Sequence, residues 1–448
     1  MSVIAGRGGA VPWQTAGVGN EGWSPWIRPG APGSRTTRLE LFYDLVFVFA
    51  FLNVTALASN PPSATNLYRC LLVLGLLWWC WSGFAGLANY TRADQGVLPL
   101  VGFVTVAATF LLVLSLPGAF VNQPGGLNGP LLFAVCYFLV RASQLAVFGW
   151  MARGDRDRLR RWRLLVLLPL VATALLVGSA FVRRTVEHGA TVQLVLWTVA
   201  LLVEYGAGVA LGGTYWAVVS AGHWAERHAL MVLIALGESV LALGIGSKFV
   251  NGLPLTWPAV VAAVTGIAVA SALWWAYFDT LALAVEQALH RARDPAARAR
   301  LARDAYTYLH LPIIAGVIFF ALGIKDVLAE AADPETPPWG DPLGAFWALV
   351  LYGGVALYLL SLVACGMVAL RVLRWPLLVE VVLLALLAPP AARLPELKAL
   401  VVLGLVCVTL TTGEALGGRR RRNRVRQLAL EEQRAAEIEE SRWRGEHL

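Results

Sequence analysis

Apolar residues along this chain come in runs of about twenty, separated by short polar stretches, and this is neither the stripe of a surface helix nor the alternation of a half-buried strand. A helix needs roughly 20 apolar residues to cross a bilayer. Twelve runs meet that length, at approximately 41–59, 70–90, 97–117, 130–151, 163–182, 192–215, 229–247, 257–284, 308–327, 343–368, 375–392 and 398–416. Lipid cannot satisfy exposed backbone N–H and C=O groups, so each run is expected to be helical. The expected fold class is all-α: a polytopic integral membrane protein of about 12 transmembrane helices. Residues 1–35 read as a flexible Gly-rich arm, 36–417 as the transmembrane domain and 418–448 as a basic, then acidic tail. The arm carries Trp13, Trp23 and Trp26 but no apolar run of the kind a cleaved signal peptide needs.

Composition supports the same reading. Of 448 residues, 58% are hydrophobic and 14% charged, and mean hydropathy is +0.65. Soluble domains carry about 25% charged residues, so this chain lacks the charge to cover a soluble surface. Counted with twelve spans, 28 of the 36 Lys and Arg residues lie on the side of the N-terminus, which predicts a cytoplasmic location for both termini. The expected location is the bacterial inner membrane. The net charge of +8 is thus mostly topology. It is split among short loops and a tail, which argues against nucleic acid as a partner. Arg419, Arg420, Arg421 and Arg422 follow the last span directly and suit anionic lipid headgroups. The five cysteines all fall in apolar runs without metal-type spacing and read as small buried residues. No metal or other cofactor is expected: phosphate loops, nucleophile elbows and Cys–His pairs are missing from the sequence.

Ionisable side chains within spans are costly and mark candidate chemistry. Glu40 and Asp44 are i, i+4 at the start of span one and share a face, with Arg38 near enough to compensate one of them. Span two ends in Asn89, Arg92 and Asp94. Span seven opens with His223, Glu226, Arg227 and His228 and continues to Glu238, about 16 Å from Arg227 along the same face. Span eight holds Asp279, and span nine opens with His310 and Pro312. The predicted topology brings these groups to one side, as a polar pocket lined by spans one, two, seven, eight and nine. The competing reading is a set of structural ion pairs that lock helices together. Glu204, Glu380 and Glu414 have no partner recognisable from the sequence, and Arg141 lies within span four.

These stretches also carry a resemblance. Residues 39–50 (LELFYDLVFVFA), 226–239 (ERHALMVLIALGES), 274–279 (WWAYFD) and 308–316 (YLHLPIIAG) resemble, in order, four signatures of the bacterial low temperature requirement protein A family. The match runs from about residue 35 to 415. It implies a multi-spanning bacterial membrane protein and marks Glu40, Asp44, Glu226, Arg227, Glu238, Asp279 and His310 as motif positions. It implies no reaction, because the family is named for a growth requirement in the cold. Where the family often shows Asn followed by an acidic pair, this chain has Asn89 and then Arg92 and Asp94, which alters the charge at the pocket mouth.

A parallel 6 + 6 repeat would place Glu226 opposite Glu40, and Trp274–Trp275 opposite Trp78–Trp79. Three functions fit the sequence. A proton-coupled transporter of a small solute would use Asp44, Glu238 or Asp279 for the proton, and Arg227 and His310 for an anionic group. A membrane-embedded enzyme on a lipid-soluble substrate would draw on the same histidines and carboxylates. A non-catalytic protein supporting the envelope in the cold would use the basic loops and tail.

Overall fold

The computed structural model describes residues 35–59, 61–121, 125–185, 187–210, 218–245, 255–333 and 335–417, with scattered positions between 423 and 442. Its elements are α1 (Arg38–Ser59), α2 (Ala64–Tyr90), α3 (Leu98–Leu114), α4 (Gly129–Met151), α5 (Arg156–Thr185), α6 (Gly189–Ala210), α7 (Ala221–Ile245), α8 (Trp257–Phe278), α9 (Leu281–Arg291), α10 (Pro295–Leu301), α11 (Leu309–Ala331), α12 (Gly344–Leu370), α13 (Trp375–Ala391) and α14 (Glu396–Gly417). A π-helical turn, Ala302–Tyr308, joins α10 to α11.

The chain is an all-α membrane protein, as its apolar runs predict. Among the described residues, ten helical stretches are long and apolar enough to cross a bilayer. The two other expected spans are α3 and α13, apolar helices of 17 residues each, near the short limit for a crossing. The expected span 257–284 is divided. The helix breaks at Asp279–Thr280, and α9 follows with Leu281, Val285 and Leu289 buried. Apolar residues resume directly after this polar pair, so hydropathy averaged over a span does not reveal the break. Several helix starts are fixed locally by capping side chains. Ser63 accepts from the Asn66 amide, Asn128 from Leu131 and Thr256 from Ala259.

α11 is the central post, packed against α1, α2, α7, α8, α12 and α14. Its contact with α12 is a backbone contact: a Cβ on Gly316 would lie 2.7 Å from the Gly354 carbonyl oxygen, and one on Gly354 2.9 Å from the Gly316 oxygen. Small residues let membrane helices approach in this way, where apolar burial gives no drive between helices already in lipid. α5 and α6 pair at one side, and α13 and α14 at another. Large apolar side chains such as Leu100, Val264 and Leu386 face outward, where hydrocarbon covers them. The two tryptophan pairs that suggest a repeat have different roles: Trp78 and Trp79 are buried, whereas Trp274 is 43% exposed.

Candidate functional site: a buried arginine between two carboxylates

α1 and α7 begin at the same end of the bundle, and their first turns hold the site. Glu40 and Asp44 stand one turn apart on α1, and the guanidinium of Arg227 reaches both. Nη1 donates to Glu40 at 2.6 Å and Nη2 to Asp44 at 2.7 Å. The planar two-pronged guanidinium spans one helical turn, which a point-like ammonium would not. All three side chains are buried. The compensating arginine is therefore Arg227, not Arg38, which lies at the mouth. Trp81 closes the network from α2: its indole N–H donates to the Asp44 oxygen that Arg227 holds, and its ring lies 5.5 Å from the guanidinium carbon.

The hydrogen-bond network assigns the histidine tautomers. The Asn89 side-chain oxygen accepts from the backbone N–H groups of Val219 and Ser220, so its amide nitrogen faces Ser220 oxygen and His223 Nδ1. His223 Nδ1 then accepts, and its Nε2–H donates to Glu40 at 2.6 Å. In that state His223 is neutral, and two carboxylates face one guanidinium. His228 donates from Nδ1 to the Trp224 carbonyl. Its Nε2 is a bare acceptor with no partner among the described residues, inside a cage formed by the rings of Trp78, Trp81, Trp224, Tyr306 and His310. His310 is satisfied on both sides, by the Ala305 carbonyl and the Tyr277 hydroxyl at 2.8 Å. The π-helical turn sets this arrangement. Trp78 donates to the Thr307 carbonyl, and the turn stacks Tyr306 on His310. Such turns inside membrane helices recur at functional positions.

Unpartnered buried polar atoms collect here: the second Asp44 oxygen, Arg227 Nε, His228 Nε2 and the Tyr306 hydroxyl. Each costs about 1–3 kcal/mol relative to a satisfied group, so their concentration at one place asks for an explanation beyond packing. A cavity of about 430 Å³ opens at the same end of the bundle, walled by residues 35–40, Ala88, Thr91, Arg92, Asp94 and His223. Its floor is the Glu40–His223 contact. Among the described residues no group of three His, Cys, Asp or Glu side chains is placed to hold a metal ion, and the buried guanidinium would oppose a cation.

The residues singled out in the sequence divide into five groups. Glu40, Asp44, Asn89, Arg227, His228 and His310 converge. Asp94 lies at the mouth in an exposed pair with Arg92 at 3.2 Å, and Glu226 is exposed and accepts from Thr36. Glu238 lies deeper along the α1–α7 contact, where one oxygen accepts from Thr55 at 3.1 Å and the other is unpartnered. Asp279 is apart from the cluster, paired with Arg426 of the tail. Arg419, Arg420, Arg421 and Arg422 lie outside the described residues.

Sequence reading passed over His223 as a cluster member of the first rank, and it passed over Trp81. It also left Glu204 and Arg141 unpaired. They form a second buried network, in which Glu204 accepts from Trp79 (2.7 Å), Tyr137 (2.6 Å) and Arg141 (3.1 Å), and Arg141 reaches Gln144. Glu414 pairs with Arg374 at 2.6 Å.

Two comparisons place the chain among known proteins. It is 27% identical over 373 residues to the uncharacterized protein RA0937 of Rhizobium meliloti (strain 1021), a match spanning 79% of this chain and 83% of that one. No solved structure matches it. The family model of the bacterial low temperature requirement A protein (LtrA) matches residues 35–412, from the strand of chain just before Glu40 to the last turns of α14, and the chain belongs to that family.

Proposed function

We propose that this protein is a proton-coupled transporter of a small polar solute, with Glu40, Arg227 and Asp44 as its proton-responsive element. The observation that supports this reading is a charge count. Two carboxylates face one guanidinium at the floor of an open cavity, while the histidine beside them is neutral and donating. The network carries one negative charge in excess and has a free oxygen on Asp44 to receive a proton. Protonation there weakens one of the two carboxylate contacts by which Arg227 of α7 holds α1. The pair then becomes free to separate, and the cavity floor to open toward His228. Among the other proton carriers considered, Asp279 is held by Arg426, and Glu238 serves a deeper position on the same α1–α7 seam.

In this reading the cavity faces the cytoplasm, because the basic loops lie on its side. The Arg419–Arg422 cluster rests on anionic headgroups at that surface. The test is flux. Purified protein in liposomes loaded with a pH-sensitive dye is given an imposed pH gradient and a panel of small organic anions, amines, amino acids and sugars. Solute-dependent proton movement that disappears in Asp44→Asn is the expected result. Folded protein that moves no proton with any member of the panel would overturn the proposal.

A further inference from the structure

A second cavity, of about 830 Å³, lies between the ends of α8, α12 and α14, the start of α13, and α9. It shares no lining residue with the vestibule above Arg227. We propose that it binds one acidic phospholipid drawn from the surrounding bilayer. The inference is independent of the transport reading.

The volume falls in the roughly 300–1,000 Å³ range of small-molecule sites. Much of the wall is apolar, including Trp275, Leu370 and Leu410, which suits an acyl chain. A chain already in lipid gains nothing hydrophobic by moving there, so selection must come from the polar groups.

Asp279 and Glu414 also line the cavity, each paired with an arginine, and the remaining polar groups considered are donors. Gln287 is 8% exposed, lines the cavity, and its amide nitrogen has no partner among the described residues. Arg291 lines the same space without an ion pair among the described residues. Arg374 donates from Nη1 to the Ala276 carbonyl and from Nη2 to Glu414, which leaves Nε uncommitted. An amide N–H and two guanidinium groups around an apolar cleft call for an anionic oxygen cluster attached to a hydrocarbon chain, and basic pockets between membrane helices take acidic headgroups in this way. A choline cation would sit against arginine, so a zwitterionic lipid fits less well. The rim meets the bilayer at Trp375, 64% exposed. On the other side Leu428 lies in the cavity wall and Arg426 is paired to Asp279.

The experiment is native mass spectrometry of the full-length, delipidated protein in non-ionic detergent. The probes are dioleoyl phosphatidylglycerol, dioleoyl phosphatidylcholine and glycerol 3-phosphate. Two variants accompany them. Arg291→Gln with Gln287→Leu removes two of the donors. Gly413→Phe adds a ring at the cavity wall, at a position where a Cβ meets nothing within 4 Å. The expected result is one retained phosphatidylglycerol per chain. Its affinity should drop about tenfold or more in each variant, the scale of one charge-assisted hydrogen bond. Equal retention of phosphatidylcholine, or unchanged retention of phosphatidylglycerol in Gly413→Phe, would overturn the proposal. Glycerol 3-phosphate bound as well as the lipid would also overturn it, by showing a phosphate site with no use for the chain. If the double variant does not fold, Gly413→Phe alone decides.

Discussion

At the scale of single residues, the two buried arginines differ in what surrounds them. Arg141 and Glu204 meet with Trp79, Tyr137 and Gln144, and both Glu204 oxygens are occupied. Arg227 holds Glu40 and Asp44 with polar atoms to spare. Arg227→Ala leaves two buried carboxylates uncompensated and is expected to cost about 3–5 kcal/mol, read as a lowered thermal midpoint in detergent. Restoring the balance by adding Glu40→Gln and Asp44→Asn should recover part of that loss. Gly83→Ala is expected to destabilise through the other network, because its Cβ would lie 2.3 Å from the Gln144 oxygen and 2.8 Å from Arg141. A melt that matches the parent protein would contradict that account. Glu40, Asp44 and Arg227 were legible in the sequence because charge inside an apolar run is expensive and rare. The pairing of Glu204 with Arg141 was not: 63 positions separate them, and nothing in a linear pattern states which helix faces meet.

At the scale of elements, the contact of α11 with α12 depends on two absent side chains. Gly316→Leu would drive a side chain into the backbone of Gly354 and Tyr358. It is expected to separate the helices and to lower stability by several times the ~1 kcal/mol that a propensity change alone produces. A thermal melt with a size-exclusion profile checks it. The π-helical turn before α11 escaped the sequence reading because Ala302–Tyr308 holds no glycine or proline to mark it. The break between α8 and α9 escaped because only Asp279 and Thr280 interrupt a stretch that is apolar on both sides. The helical character of every long run was legible, since hydropathy reports length and lipid imposes the helix. What hydropathy does not report is where a continuous apolar run turns.

At the scale of the whole molecule, the fold class followed from composition, and the arrangement around α11 did not, because lipid-facing and protein-facing apolar residues look alike in sequence. Orientation is tested by fusing a reporter that fluoresces only in the cytoplasm to the C-terminus. Fluorescence is expected, and reversed accessibility would overturn the reading of the basic loops. The tail contact leads to a different kind of test. Arg426 is half exposed where it meets Asp279, whereas Arg227 is wholly enclosed. Exposed charges are screened within a Debye length of about 8 Å at physiological ionic strength, and enclosed ones far less. A spin label at Leu428→Cys should therefore gain mobility as salt is raised, while the α1–α7 contact stays unchanged. One protein then carries two charge contacts that respond to different variables. The outer one is expected to loosen as ionic strength rises, and the inner one to hold.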